Sequence, residues 1–131
     1  MKWKTMKELE AETRPQFYGT AGYYFNPLYR QTKYTDGVQF LGANGFGWLI
    51  DEIGLNMDFA KAFLKAEGGN VFFIVVLDVK DTHATLSLCE DIDGEKLINV
   101  RATKEITYTD APQGRLCLYW QAGVILLPSE Y

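Results

Sequence analysis

At 131 residues with a formal charge of −4, the chain is sized for one domain, 1–131, with no linker-like stretch on which to split it. Apolar residues at 47% against 23% charged exclude a disordered or fibrous chain. The acidic balance argues against direct DNA or RNA binding, which needs clustered Lys and Arg; only Lys2, Lys4 and Lys7 gather here.

Eight Phe, eight Tyr and three Trp make the chain aromatic enough for a dense core with some aromatic surface. The segment from Lys2 to Arg14 is polar and helix-patterned, so no signal peptide is expected. The apolar run from Val71 to Leu77 falls well short of the roughly 20 residues that span a bilayer. A cytoplasmic protein with no membrane contact is expected, with Cys89 and Cys117 as reduced, buried thiols on strands.

Trp3, Met6 and Leu9 recur by threes and predict a helix over Met1 to Thr13, stopped by Pro15. Phe17 to Lys33 is rich in Gly, Pro and Tyr and reads as an ordered loop packed by its own rings. Thr35 or Asp36 then caps a helical unit in which Val38, Leu41, Gly45, Trp48, Leu49, Glu52 and Ile53 keep three-and-four spacing. Gly42, Gly45 and Gly47 interrupt it and predict two short helices rather than one. Asn56 or Asp58 caps a third, carrying Phe59, Ala62 and Phe63, which Gly68-Gly69 ends.

Beyond Gly69 the period changes to that of strands. Val71 to Lys80 is β-branched and aromatic on both faces, as in a central strand covered on both sides. His83 to Glu90 alternates, and Asp91 to Gly94 signals a turn. Lys96 to Arg101 and Lys104 to Thr109 read as two weaker strands, and Arg115 to Gln121 and Val124 to Leu127 as a hairpin closed by Pro128. The expected fold class is α+β: N-terminal short helices packed on a C-terminal antiparallel sheet of about five strands.

Candidate chemistry is sparse. Asp51, Glu52, Glu90 and Asp91 could serve a small hydrolase or a metal-dependent enzyme with His83, provided that they converge. Adjacent Asp51 and Glu52 diverge by about 100° on a helix, so only one is expected to face inward. The spacing and terminal Glu of a calcium loop are missing after Asp91, and no flanking motif joins His83 to Cys89 or Cys117 as a nucleophile pair. No glycine-rich phosphate loop follows a strand, and no cofactor is expected.

The triplet Tyr34-Thr35-Asp36 returns as Tyr108-Thr109-Asp110. It reads as punctuation: Asp36 suits a helix N-terminus, and Asp110 before Ala111-Pro112 suits a turn opening. Leu127-Pro-Ser-Glu-Tyr131 predicts a tail in which Tyr131 lies back on apolar surface near Trp48.

Phe17-x-Gly19-Thr20, Tyr34-Thr-Asp-Gly-Val38, Trp48-Leu-x-Asp51-Glu52-Ile53, Cys89-Glu90-Asp91, Tyr108-Thr-Asp110 and Leu127-Pro-Ser-Glu-Tyr131 follow in consistent order. The chain thereby resembles, from Phe17 to Tyr131, a family of unknown function made up of small bacterial, plasmid and phage proteins. The Gly-rich run from Leu41 to Gly47 and the aromatic loop before it depart from that pattern. The resemblance implies a phage or mobile-element context and carries no catalytic role. Together with Tyr and Trp in loop-like segments, residue types enriched at interfaces, it leads to the expectation of a non-enzymatic binding protein. Its partner would be a protein, with inhibition of a host-defence protein as one such role. The expected binding residues are Tyr34, Asp36, Trp48, Asp51, Glu52, Tyr108, Asp110 and Tyr131.

Overall fold

The computed structural model describes residues 23–25, 33–65, 72–121 and 124–128. Among these residues, seven strands form one sheet, in the order β1-β2-β7-β6-β3-β4-β5. They are β1 (Tyr23–Phe25), β2 (Lys33–Thr35), β3 (Phe72–Lys80), β4 (His83–Asp93), β5 (Lys96–Ile106), β6 (Gly114–Gln121) and β7 (Val124–Leu126). Helices α1 (Asp36–Leu41), α2 (Gly47–Leu55) and α3 (Met57–Lys65) lie between β2 and β3 in the chain.

The α+β class holds, with three corrections. Among the described residues the sheet has seven strands rather than about five, and it is mixed, because β2 runs parallel to β7 with Tyr34 opposite Ile125. The three described helices follow two strands, β1 and β2, which lie inside and at the end of the segment expected to be a loop. Strands of three residues carry too little alternation to be seen among glycines and prolines; they exist because β7 offers β2 a ladder. The third correction concerns Lys96 to Thr109, which forms one strand ending at Ile106 and not two. No turn residue separates the two halves. The irregularity is instead taken up within the ladder, where the register shifts between Leu88 and Cys89. The helix expected over Met1 to Thr13 and the stop at Gly68-Gly69 lie outside the described residues.

Strand β3 is central, as its two-sided apolar pattern predicts, and it pairs antiparallel with β4 and β6. Phe73, Val75, Leu77 and Val79 face one side and join Ala84, Leu86 and Leu88 of β4 and Leu118 and Trp120 of β6. Val38, Leu41, Phe46, Leu49, Ile50, Ile53 and Phe59 from the helical layer complete that core. Ile74, Val76 and Cys89 form a smaller cluster on the opposite face, with Phe72 and Tyr119 in edge-to-face contact at 5.0 Å beside it. Phe46 and Phe59 are wholly buried, so truncating either to Ala would cost about 3–5 kcal/mol through lost transfer energy and a residual cavity.

The expected break in the helical unit is present. Between α1 and α2 the backbone leaves helical geometry at Asn44 and at Gly45, whose φ of 103° is open to glycine. Asn44 donates its side-chain amide to the Phe40 carbonyl at 2.8 Å, satisfying one helix-end acceptor. Asn56 caps α3, its Oδ1 accepting from the backbone N–H of Asp58 and Phe59 at 3.0 and 3.1 Å. The expected β6–β7 hairpin forms, with Trp120 opposite Ile125. An Asp78–Arg115 pair ties β3 to β6 at 2.6 and 3.1 Å, and the Arg115 guanidinium also donates to the Glu95 carbonyl at 3.1 Å.

Candidate functional site

An open groove of about 560 Å³ lies where the end of α2 and the start of α3 overhang β5. It is lined by Trp48, Asp51, Glu52 and Leu55 of α2, the Asn56-Met57-Asp58 junction, and Thr103 and Lys104 of β5. Trp48, Asp51, Glu52 and Leu55 follow one another at i, i+3, i+4 and i+7, so one helical stripe supplies this wall. The core stripe of the same helix is Leu49, Ile50 and Ile53. Asp51 and Glu52 therefore both line the open groove, but Asp51 is exposed and only Glu52 is half-buried, in keeping with the expectation that one of them faces inward. Flanking the line through Trp48 and Leu55, they diverge from each other without leaving the same wall.

The groove is amphipathic. Leu55 is 52% and Met57 69% exposed, although both are large apolar side chains. Among the described residues that line it, Asp51, Glu52 and Asp58 supply carboxylates and Lys104 an ammonium. Lys104 Nζ donates to both Glu52 oxygens, at 2.9 and 2.7 Å, which binds α2 to β5 along the groove floor.

Of the other expected site residues, Tyr34 and Asp36 lie at the opposite end of the sheet. Tyr34 stacks on Tyr24 of β1, ring centroids 5.7 Å apart at 21°. The Asp36 carboxylate, which accepts a hydrogen bond from the Tyr24 hydroxyl, holds that phenol above its ordinary pKa because ionising it would set two anions side by side. Tyr108 is 71% exposed and Asp110 is exposed, both on the turn after β5. Tyr131 falls outside the described residues.

The repeated triplet is punctuation, but its working member is threonine rather than aspartate. Thr35 Oγ1 accepts from the Val38 N–H at 3.4 Å and caps α1, with Asp36 in the first turn. Thr109 Oγ1 accepts from the Ala111 N–H at 3.1 Å, while the Thr109 N–H donates to the Thr82 carbonyl at 2.7 Å. Both threonines are buried, at 1% and 6% exposure.

The acidic residues do not converge with histidine. His83 begins β4 and Glu90 lies seven residues on, about 23 Å along the strand. Glu90 pairs with Arg101 at 2.7 Å, and this guanidinium, with Asn99, holds its carboxyl below the ordinary range. Asp91 Oδ1 accepts from the adjacent Ile92 N–H at 2.8 Å. Among the described residues, no three His, Cys, Asp or Glu side chains gather as a metal site would require.

Cys89 is buried and Cys117 half-buried, so only the first matches the expected inert thiol. Burial pushes the Cys89 thiol above its ordinary pKa. Cys89 faces Ile74 and Cys117 faces Val76 from opposite sides of β3. Two strand spacings separate them by about 10 Å or more, beyond the roughly 7 Å Cα limit for a disulfide.

Sequence reasoning reached Trp48, Asp51 and Glu52 and missed Leu55, Met57, Asp58, Thr103 and Lys104. Leu55 carried a legible signal: it lies two residues after Ile53, about 200° around the helix and off the core stripe. Nothing local marks Thr103 or Lys104, which join the groove only through sheet pairing.

The model of a family of unknown function (DUF6876) matches residues 8–131. The chain belongs to that family. No curated protein and no solved structure matches it. The family model spans every residue of the groove, the two threonine-capped turns and the whole sheet. Among the described residues, no helix is long and apolar enough to cross a membrane.

Proposed function

We propose that this member of the DUF6876 family is a binding protein without catalytic activity, and that it engages another protein through the α2–α3–β5 groove. One observation carries the reading: Leu55 and Met57 stand exposed beside half-buried Trp48, rimmed by Asp51, Glu52 and Asp58. Clustered exposed apolar side chains within a polar rim are the anatomy of a protein interface. The resemblance to bacterial, plasmid and phage proteins supports a cytoplasmic accessory role in a mobile element, such as inhibiting a host-defence protein. A hydrolase or metal-dependent enzyme built on Asp51, Glu52, Glu90, Asp91 and His83 has no comparable support: Glu90 lies about 23 Å from His83 along β4, and neither these two nor Asp91 lines the groove with Asp51 and Glu52.

The test uses the full chain as bait in a bacterial lysate, beside a Leu55→Asp/Met57→Asp variant of unchanged melting temperature. A protein enriched by the wild-type chain and lost from the variant is the expected result. No enrichment, or equal enrichment by both baits, overturns the reading.

A further inference from the structure

Strand β5 is the outer strand of the sheet at the end opposite β1, and among the described residues it pairs with β4 alone. An edge of eleven residues directs a row of backbone N–H and C=O groups outward, and such edges are ordinarily blunted. Here the blunting is confined to the first half. The register shifts opposite Leu88 and Cys89, Asn99 adopts a φ of 53°, and Arg101 reaches back to Glu90. From Ala102 to Ile106 the ladder is regular, residue for residue opposite Leu88 to Ala84. This regular half is the one that supplies Thr103 and Lys104 to the groove.

We propose that the chain captures its partner by strand addition. An extended segment, with apolar residues alternating with Lys or Arg, pairs with the 102–106 edge and sends alternate side chains into the groove. The inference rests on the protein-binding reading above and names the kind of segment bound. Backbone hydrogen bonds to the edge supply affinity, and side-chain pockets at alternate positions supply selectivity. Ala102 and Ile106 pack toward the helical layer and Lys104 reaches α2, so that face of an added strand meets the groove wall. Apolar side chains there contact Trp48, Leu55 and Met57. Asp58, exposed at the rim, favours a basic segment, and Glu52 already draws Lys104 aside. A second copy of this chain is a poorer occupant. Pairing the same five residues antiparallel sets Lys104 against Lys104 of the other copy, and like charges directly opposite destabilise a sheet.

The probe is a displayed library of random peptides of about twelve residues, enough to cover an edge strand, selected on the full chain. Enriched peptides should alternate apolar with Lys or Arg. N-methylating alternate amides of the best synthetic peptide should weaken binding at least about tenfold, as should Leu55→Asp/Met57→Asp or Asp51→Lys/Asp58→Lys in the protein. A Tyr24→Ser variant, altered at the opposite edge, should bind as wild type does. Amide-exchange protection should rise over 102–106 when the peptide binds. Enriched peptides with helical three-and-four spacing, or binding indifferent to N-methylation but abolished by Leu55→Asp/Met57→Asp, overturn strand addition and leave the protein-binding groove standing. No enrichment overturns the proposal outright. Concentration-dependent dimerisation that masks the 102–106 amides would assign the edge to a second copy and overturn it as well.

Discussion

Lys104, on the edge strand β5, closes both of its short contacts onto one carboxylate, that of Glu52 on α2, fifty-two residues away in the chain. The pair joins the helical layer to the last strand of the sheet beside a groove that is otherwise open. Both side chains keep substantial solvent exposure, so water screens the attraction. Lys104→Met should therefore lower stability by less than about 1 kcal/mol, read from the urea midpoint. A larger loss would show that the pair, rather than core packing, holds α2 on the sheet.

The two threonine turns make a sharper prediction. Thr35→Val keeps the side-chain shape and removes the acceptor of the Val38 N–H, which should cost about 0.5–2 kcal/mol. Thr109→Val removes the acceptor for Ala111 and should cost about 1 kcal/mol. Asp110→Asn, on exposed surface, should stay within about 0.5 kcal/mol. Thermal melts of the three variants decide whether threonine or aspartate carries the repeat.

Glycine positions separate strain from crowding. Gly94 has a φ of 63° and open space where a Cβ would go, so Gly94→Ala should cost about 1–2 kcal/mol from backbone conformation alone. At Gly42 the backbone is ordinary, but a Cβ would come within 2.9 Å of Ile50 Cδ1. Gly42→Ala should thus be rescued in part by Ile50→Val, whereas no neighbouring substitution should rescue Gly94→Ala. A double-mutant cycle of melting temperatures measures the difference.

Acid should expose the Glu90–Arg101 pair. The folded state holds the Glu90 carboxyl below its ordinary pKa of 4.5, so folding favours the ionised form. Its stabilising contribution is complete above that ordinary value and disappears as pH falls through the lower folded value. The stability gap between wild type and Glu90→Gln should accordingly be constant near neutrality and close in acid. A gap that widens as pH falls would reverse the assignment.

Thiol chemistry should distinguish the cysteines. Burial holds Cys89 protonated beyond its ordinary range, so in the native protein it should react with an alkylating reagent much more slowly than half-buried Cys117. After denaturation the two rates should converge. Since the folded state raises this pKa, Cys89 also makes stability fall as pH rises above the unfolded thiol value. Mass spectrometry of timed alkylation reads both rates.

By itself, the sequence determined the elements whose residues signal through near neighbours. The apolar run of β3, the alternation of β4, the β6–β7 hairpin, the glycine break at Gly45 and the Asn56 cap all depend on contacts within a few residues, or on burial that hydrophobicity records directly. Tertiary structure decided whatever depends on long-range partners. Strands β1 and β2 are too short to show a period, and β2 is a strand because β7 lies parallel beside it. β5 runs unbroken past Arg101 because β4 continues opposite it, absorbing the register shift that local reading took for a gap. The groove has the same origin. Trp48, Asp51 and Glu52 were legible on their helix, but they became one wall only when α2 came to lie over β5 and Lys104 rose to meet Glu52.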